Sequence, residues 1–144
     1  MTRSIKKTPQ DEKSQAGLLD IIRRTIEIYG PMSIETYMGL CMGHPVHGYY
    51  MKQDPFGEKG DFITAPEISQ IFGELIGAWL AYRWMQTGQP ESFSLVEFGP
   101  GRGTLMNDIL RATRSVPGFH AAMNVTLIDM SPALIARQKE TLKN

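Results

Sequence analysis

Three glycines at alternate positions, Gly99, Gly101 and Gly103, follow the apolar segment LVEF at 95–98. After a strand, a glycine turn lets a ligand approach backbone amides that a Cβ would block, and the next helix points its amino-terminal amides at the same place. The dinucleotide pattern G-x-G-x-x-G would need glycine where the chain has Thr104, and no Gly-Lys-Ser/Thr of a P-loop occurs. The spacing therefore favours another ligand, or only a tight strand-to-helix connection.

Two carboxylates accompany this turn. Glu97 precedes Gly99 by two residues, and its charge would repel a pyrophosphate but attract a cationic amine or sulfonium. Asp129 ends a second predicted strand, where its two oxygens suit the hydroxyls of a ribose, although a role as a cap before Ser131 is equally open. Together these residues suit a nucleoside with a positively charged tail, which is the chemistry of S-adenosylmethionine.

The elements that must position these residues alternate between strand and helix. Strands are predicted over 93–98 and 124–129, the first followed by a helix over 102–113 and the second by a helix that Ser131 caps and that continues to the end of the chain. This order predicts a parallel pair of strands and an α/β layer fold.

Helices are also predicted in the preceding half. One begins at Ser14 and stops at Gly30, and a second, capped by Ser33, ends at Gly43. The segment 44–62 is predicted as a long loop. The strongest helix opens at Pro66 and runs toward Gly88, with an apolar stripe that we expect in the core: Ile68, Ile71, Phe72, Leu75, Ile76, Trp79 and Tyr82.

The composition excludes several classes of function. Fifteen basic and fifteen acidic residues balance over 144 positions, so the overall charge predicts no nucleic-acid partner. No apolar run reaches the length of a membrane span. The single cysteine, Cys41, cannot form an internal disulfide, which suits a reducing compartment.

Four segments resemble the MidA family of methyltransferases: HPVHGYY at 44–50, GDFITAPEISQIFGE at 60–74, VEFGPGRGTL at 96–105 and LIDMSPAL at 127–134. The resemblance implies a Rossmann-like class I methyltransferase fold with an amino-terminal helical module, and S-adenosylmethionine as cofactor. It also implies methyl transfer to a protein arginine, on a respiratory complex I subunit for the mitochondrial members. The implied location is mitochondrial for a eukaryotic source and cytoplasmic for a bacterial one.

The resemblance implies a set of cofactor-binding residues. The cradle and the ribose ligand are Glu97, Gly99, Gly101, Gly103 and Asp129. Hydrogen-bonding groups suited to the amino-acid end of the cofactor are Thr64, Ser69 and Gln70, for which roles as caps or solvated residues are equally favoured.

No catalytic base and no metal site are assigned. Asp61, Glu67 and Glu74 lie in the right segment to hold a guanidinium, but roles as caps or solvated charges are favoured for each. His44 and His47 could line a substrate entrance, yet they lack the further Cys or His ligands of a metal centre.

Members of the family continue well beyond the point at which this chain ends, so the fold is expected to be incomplete here. The predicted division is a mobile polar tail over 1–13, a helical module and loop over 14–62, and the first part of the cofactor-binding domain over 63–144. We expect this chain to be inactive by itself. The alternatives are a non-catalytic binding or assembly module for a respiratory-complex subunit and a nicotinamide enzyme, against which the glycine spacing argues. The oligomeric state stays open.

Overall fold

The computed structural model describes residues 9–52 and 63–143. Two compact units divide the chain, Met1–Gln53 and Asp54–Asn144. The sequence predicts this boundary at 62–63, and that placement stays a prediction because residues 53–62 lie outside the described ranges. Each unit is therefore considered separately.

In its described residues, 9–52, the amino-terminal unit contains three helices: α1 (Pro9–Tyr29), α2 (Ile34–Gly43) and α3 (Tyr49–Lys52). Gly30 ends α1 in the left-handed conformation with φ +84°, which glycine adopts at little cost. The predicted cap of α2 is confirmed, because the hydroxyl oxygen of Ser33 accepts a hydrogen bond of 3.1 Å from the amide of Thr36.

Two predictions about this unit need correction. The first helix begins at Pro9 rather than Ser14, so residues 9–13, predicted as part of a mobile tail, are helical. Proline suits the first position of a helix, where its missing amide hydrogen leaves no bond unmade. The predicted loop at 44–62 contains α3 in its described part, and its remainder falls outside the described residues.

The second unit contains five helices and two strands in the part of the chain that the structure describes: α4 (Ala65–Ile68), α5 (Gln70–Gln86), β1 (Phe93–Phe98), α6 (Thr104–Thr113), α7 (Phe119–Ala122), β2 (Met123–Ile128) and α8 (Pro132–Thr141). The strands pair in parallel, from Phe93 opposite Met123 to Phe98 opposite Ile128. This confirms the predicted α/β order. The sequence did not predict α7, and α8 ends before the end of the chain.

An aromatic cluster forms the core of this unit. The rings of Trp84 on α5 and Phe119 on α7 meet edge to face, with centres 5.5 Å apart. Phe93 brings β1 into the same cluster, its ring centre 5.2 Å from that of Phe119. Ala81 and Ala122 complete the buried set. The short helix α7 therefore ties the start of the sheet to α5.

The apolar stripe expected to bury α5 in the core does not do so. Leu75 is 66% exposed and Trp79 is 59% exposed. Most of the other predicted stripe residues are also exposed. The helix buries a row of smaller residues together with one tryptophan: Gly73, Gly77, Ala81 and Trp84. Because apolar side chains surround this helix, its sequence did not determine which face would pack.

The glycines of α5 explain that choice. A Cβ on Gly73 would lie 2.5 Å from the Cβ of Asp108, and one on Gly77 would lie 3.1 Å from the Cα of Ile109. The first distance is closer than real Cβ atoms come and the second is tighter than most Cβ contacts, so glycine lets α5 approach α6 closely. The side of α6 expected to face inward is buried at Met106 and Ile109.

The helix predicted to open at Pro66 is broken. Ser69, between α4 and α5, has extended backbone with φ −149° and ψ 122°. Its amide still donates to the carbonyl of Ala65, and its own carbonyl accepts from Phe72. Because of this break, α4 and α5 are two separate helices.

None of the helices in the described part of the chain combines the length and the apolar composition that a bilayer crossing requires.

Candidate cofactor site

The glycine turn between β1 and α6 requires glycine at each of its three positions. Gly99, Gly101 and Gly103 have φ of +63°, +56° and +82°, in the left-handed region that other residues enter at a cost of about 1 kcal/mol or more. The amide of Gly99 donates to the carbonyl of Ile128 at 2.9 Å, which extends the pairing with β2. The amide of Gly103 donates to Pro100 at 2.8 Å, which closes the turn.

Glu97 places a carboxylate on the inner face of β1. Side chains alternate along a strand, so Glu97 shares its face with Phe93, which packs in the aromatic core. One carboxylate oxygen, Oε2, is buried and has no hydrogen-bond partner among the residues that the structure describes. Burial also raises the pKa of Glu97 above its ordinary value. A buried acceptor without a donor is costly, and a ligand that supplies a donor or a positive charge would relieve that cost.

A cavity of about 320 Å³ joins Glu97 to the turn and to α4. It is lined by Thr64, Pro66, Glu67, Phe72, Glu97, Gly99, Pro100, Gly101, Arg102, Thr104 and Leu105. The break at Ser69 matters here, because α4 is the element that brings Thr64 and Glu67 to the wall. The cavity therefore combines both predicted motifs, the block at 60–74 and the glycine turn.

Glu67 has two polar partners in this cavity. The hydroxyl of Thr104 donates to its Oε1 at 2.7 Å, and a guanidinium nitrogen of Arg102 lies 3.7 Å from its Oε2. These contacts fix α4 against the turn and the first residue of α6.

Asp129 follows β2 and is held by two hydrogen bonds. Its Oδ1 accepts from the amide of Ser131, and its Oδ2 accepts from the side-chain amide of Gln138 on α8, both at 2.9 Å. The predicted cap of α8 is confirmed at Ser131, whose hydroxyl oxygen accepts from Leu134. Each carboxylate oxygen keeps a further lone pair, so Asp129 can accept bonds from a ligand as well.

Asp129 also lines a second, larger cavity of about 690 Å³. It is lined by the end of β2 and one side of α8: Leu127, Ile128, Asp129, Ile135, Gln138, Lys139, Leu142 and Lys143. Asp129 therefore borders an apolar space suited to a flat ring system.

The three residues predicted for the amino-acid end of the cofactor have different positions. Thr64 lines the smaller cavity, whereas Ser69 and Gln70 do not. The side-chain amide of Gln70 donates to Glu74 at 2.7 Å instead. Cofactor contacts by Ser69 and Gln70 stay a prediction, and the structure brings Glu67 and Arg102 to the wall beside Thr64.

The remaining candidates have other partners or lie outside the described residues. Glu74 pairs with Arg111 at 3.2 Å, and its pKa is lowered by hydrogen bonds from Gln70 and Arg111. Asp61 falls outside the described residues. In the amino-terminal unit, Nδ1 of His44 accepts hydrogen bonds from the amides of Val46 and His47, which is the ordinary turn role.

Among residues 9–52 and 63–143, no group of three or more His, Cys, Asp or Glu side chains is arranged to hold a metal ion.

Sequence analysis missed three polar residues of the site. Arg102 lies inside the glycine turn itself, so its position was a usable signal. Thr104 was considered only as a departure from the dinucleotide pattern. Gln138 gave no local signal, because it is 37 residues away from the carbonyl of Gly101 that it contacts.

Comparison with known proteins shows what this arrangement is similar to. Residues 75–144 match the model of a family of S-adenosyl-L-methionine-dependent methyltransferases. The matched part is just under half of the chain, and in it the chain is similar to that family. The matched range begins within α5 and includes the turn, Glu97, Asp129 and α8.

Two curated relatives carry the same name. The mitochondrial protein arginine methyltransferase NDUFAF7 of Xenopus tropicalis is 44% identical over 135 residues, which cover 92% of this chain and 31% of the relative. The Homo sapiens protein of the same name is 47% identical over 119 residues, covering 81% of this chain and 27% of the relative. This chain thus spans about a third of the length of these relatives.

A solved structure shows the same fold. A crystal structure of a Burkholderia thailandensis protein bound to S-adenosyl-homocysteine superposes with a TM-score of 0.78 and 26% identity. The match covers 98% of this chain and 36% of that one. The chain is therefore an α/β protein with part of a Rossmann-like methyltransferase fold.

Proposed function

We propose that this chain carries the cofactor-binding part of an S-adenosylmethionine-dependent methyltransferase that acts on protein arginine. The observation that carries the proposal is the buried, unpartnered Oε2 of Glu97 beside a turn of three left-handed glycines. A nucleotide phosphate would meet repulsion there, whereas a sulfonium or an ammonium group would be attracted. The residues therefore fit a cationic nucleoside.

The proposed contacts follow the chemistry of each end of the cofactor. Glu97 and the turn Gly99–Gly103 would receive the positively charged portion, and Asp129 would accept the ribose hydroxyls. The amino-acid carboxylate would suit Arg102, which the cavity already holds near Glu67. The predicted contacts of Thr64, Ser69 and Gln70 belong to the same end, and Thr64 has the support of its place in the cavity wall.

When bound, S-adenosylmethionine supplies an electrophilic methyl group on sulfur. The protein must then align a nucleophile with that methyl group and exclude water. Phe72, Pro100 and Leu105 provide apolar wall around the carboxylate. A guanidinium acceptor must also lose a proton, and the residue that receives it stays unassigned, because Glu67 and Glu74 are both held in ion pairs.

An equilibrium titration tests the cofactor assignment. The chain is titrated with S-adenosylmethionine, S-adenosylhomocysteine and NAD by isothermal calorimetry. We expect the two adenosyl ligands to bind and NAD to bind at least tenfold more weakly, because its pyrophosphate would lie against Glu97. Preference for NAD would refute the proposal.

A methyl-transfer assay tests the acceptor. A version extended to the length of the relatives is incubated with labelled cofactor and arginine-containing protein substrates, and the modified residue is located by mass spectrometry. Replacement of the acceptor arginine by lysine is the control. Label on another residue type would overturn the arginine assignment.

The proposed location rests on the relatives, and the proposed protein partner rests on the family resemblance. Their name places them in mitochondria, which supports a mitochondrial location for a eukaryotic source; a cytoplasmic location is proposed for a bacterial one. A respiratory complex I subunit is the proposed protein partner, on the basis of the family resemblance. Incubation of the extended version with isolated complex I subunits, followed by mapping of methylated arginines, tests this.

A second candidate function, a non-catalytic binding or assembly module, is favoured by the exposed apolar residues of α5. Trp79 and Leu75 are exposed on the side of this helix that does not pack on α6. The same titration separates the two functions, because a purely structural module would bind neither adenosyl ligand.

A further inference from the structure

Gln138 on α8 connects the two halves of the proposed cofactor site. Its side-chain nitrogen Nε2 donates one hydrogen bond to the carbonyl of Gly101 and one to Oδ2 of Asp129, both at 2.9 Å. A primary amide nitrogen carries two hydrogens, so these bonds use both. Gln138 is 4% exposed, which shields the bonds from water.

The two acceptors belong to separate parts of the chain. Gly101 lies in the turn after β1, and Asp129 follows β2. Parallel strands bring these two ends to the same edge of the sheet, and strand pairing sets only the backbone positions. Without Gln138, Oδ2 of Asp129 would have no described contact to fix its direction, since the amide of Ser131 holds only Oδ1.

Packing keeps the amide in this position. A Cβ built on Gly103 would lie 3.5 Å from the Cα of Gln138 and 3.6 Å from its Cγ, so the turn and α8 are in close contact. The backbone carbonyl of Gln138 accepts from Leu142, which keeps it inside the last turns of α8. The bond to Gly101 therefore forms from a side chain with little freedom to move.

We infer that Gln138 is a positioning residue for ribose recognition: it orients the carboxylate of Asp129 toward the ribose hydroxyls and links that carboxylate to the glycine turn. This inference rests on the proposed function, in which Asp129 accepts those hydroxyls. A residue that only stabilised the fold would affect all ligands alike, whereas an orienting residue affects ligands with and without the hydroxyls differently.

The test compares S-adenosylhomocysteine with its 2′-deoxy and 3′-deoxy analogues by calorimetry on the chain. The parent should bind the ribose ligand about tenfold or more tightly than at least one deoxy analogue, as expected for loss of a hydrogen bond to a carboxylate. Q138M keeps the length of the side chain but removes both donors. In Q138M, the affinity for the ribose ligand should exceed that for the deoxy analogue by less than about threefold, mainly because the ribose ligand binds more weakly.

Two control variants separate orientation from stability. Gln86→Met makes the same replacement at an exposed position and should change neither the melting temperature nor the preference. Thr113→Val removes a fully buried hydroxyl that bonds to Ile109 and His120, away from the site, so it should lower the melting temperature and leave the preference intact.

The outcomes are distinct. An unchanged preference in Q138M, or an equal loss of preference in Thr113→Val, would overturn the inference while the proposed function stands. Failure of the parent chain to bind S-adenosylhomocysteine would overturn both. Loss of preference in Q138M alone would support the inference.

Discussion

Replacing Glu97 with glutamine removes the charge beside the glycine turn while keeping the shape of the side chain. The buried Oε2 has no partner, so its interaction with a cationic ligand would not have to displace an existing bond. Two unit charges 4 Å apart interact by about 4 kcal/mol at an effective dielectric constant of 20, and a hydrogen bond to a charged group contributes about 1.5–3 kcal/mol. Because Glu97 is only partly buried, we expect the lower range, about 1.5–3 kcal/mol.

The assay is calorimetric titration of the parent and Glu97→Gln with S-adenosylmethionine and adenosine. A loss of 1.5–3 kcal/mol weakens binding of the cationic ligand by about 10- to 150-fold. Adenosine lacks the charge, so its binding should change by less than about threefold. An equal loss for both ligands would refute the electrostatic role and would mean that Glu97 acts structurally.

The pKa of Glu97 adds a pH dependence to the same prediction. Burial raises the pKa of this carboxyl above its ordinary value of 4.5, so the ligand-free chain keeps the proton to higher pH. A cationic ligand binds the ionised form, so its affinity should rise as pH rises through the raised pKa of the ligand-free chain and then level off. The contribution of Glu97 to the stability of the ligand-free fold has the opposite pH dependence. This contribution is present below pH 4.5 and is lost as pH rises through the raised pKa. Glu97→Gln should remove both dependences.

Four further variants or comparisons test the site and the packing. Gly101→Val should abolish the thermal shift by S-adenosylmethionine, because valine is strained at φ +56°; an unchanged shift would refute the cradle. Asp129→Ala should weaken binding by about 1–3 kcal/mol through lost ribose bonds, and a parental affinity would contradict that role. Gly73→Ala should lower the free energy of unfolding by about 1–3 kcal/mol in urea, because its Cβ meets Asp108, whereas the control Gly39→Ala has open space around it and should not. Methyl transfer by this chain should be far below that of a version extended to the length of its relatives, because the sheet exposes residues such as Phe98, at 77%; comparable turnover would refute this.

Local sequence signals predicted most of the secondary structure of the second unit. A short run with β-branched and aromatic residues predicted β1 with the observed bounds, 93–98, and the order of elements predicted the parallel pair. Caps at Ser33 and Ser131 were predictable because a serine hydroxyl satisfies an amide within its own first turn. These features depend on residues close together along the chain.

The errors occurred where one local pattern allowed two outcomes. A proline in the first turn predicted one helix from Pro66, but the chain breaks at Ser69 and gives α4 its own place on the cavity wall. The apolar side chains of α5 predicted a buried stripe, whereas the row through Gly73 and Gly77 permits the closest approach to α6. The face of α5 that packs was therefore determined by the shapes of α5 and α6 together.

The sequence by itself determined the identity and order of the cofactor motifs: the turn Gly99–Gly103, Glu97 before it and Asp129 after the second strand. Left-handed backbone and strand alternation follow from residue type and spacing, so they can be read locally. Only the tertiary structure left Oε2 of Glu97 buried without a partner, paired Glu67 with Arg102, and brought Gln138 between Gly101 and Asp129. Those features depend on burial or join residues from different elements, such as Gln138 and Gly101, 37 positions apart, and both arise only when the helices pack against the sheet.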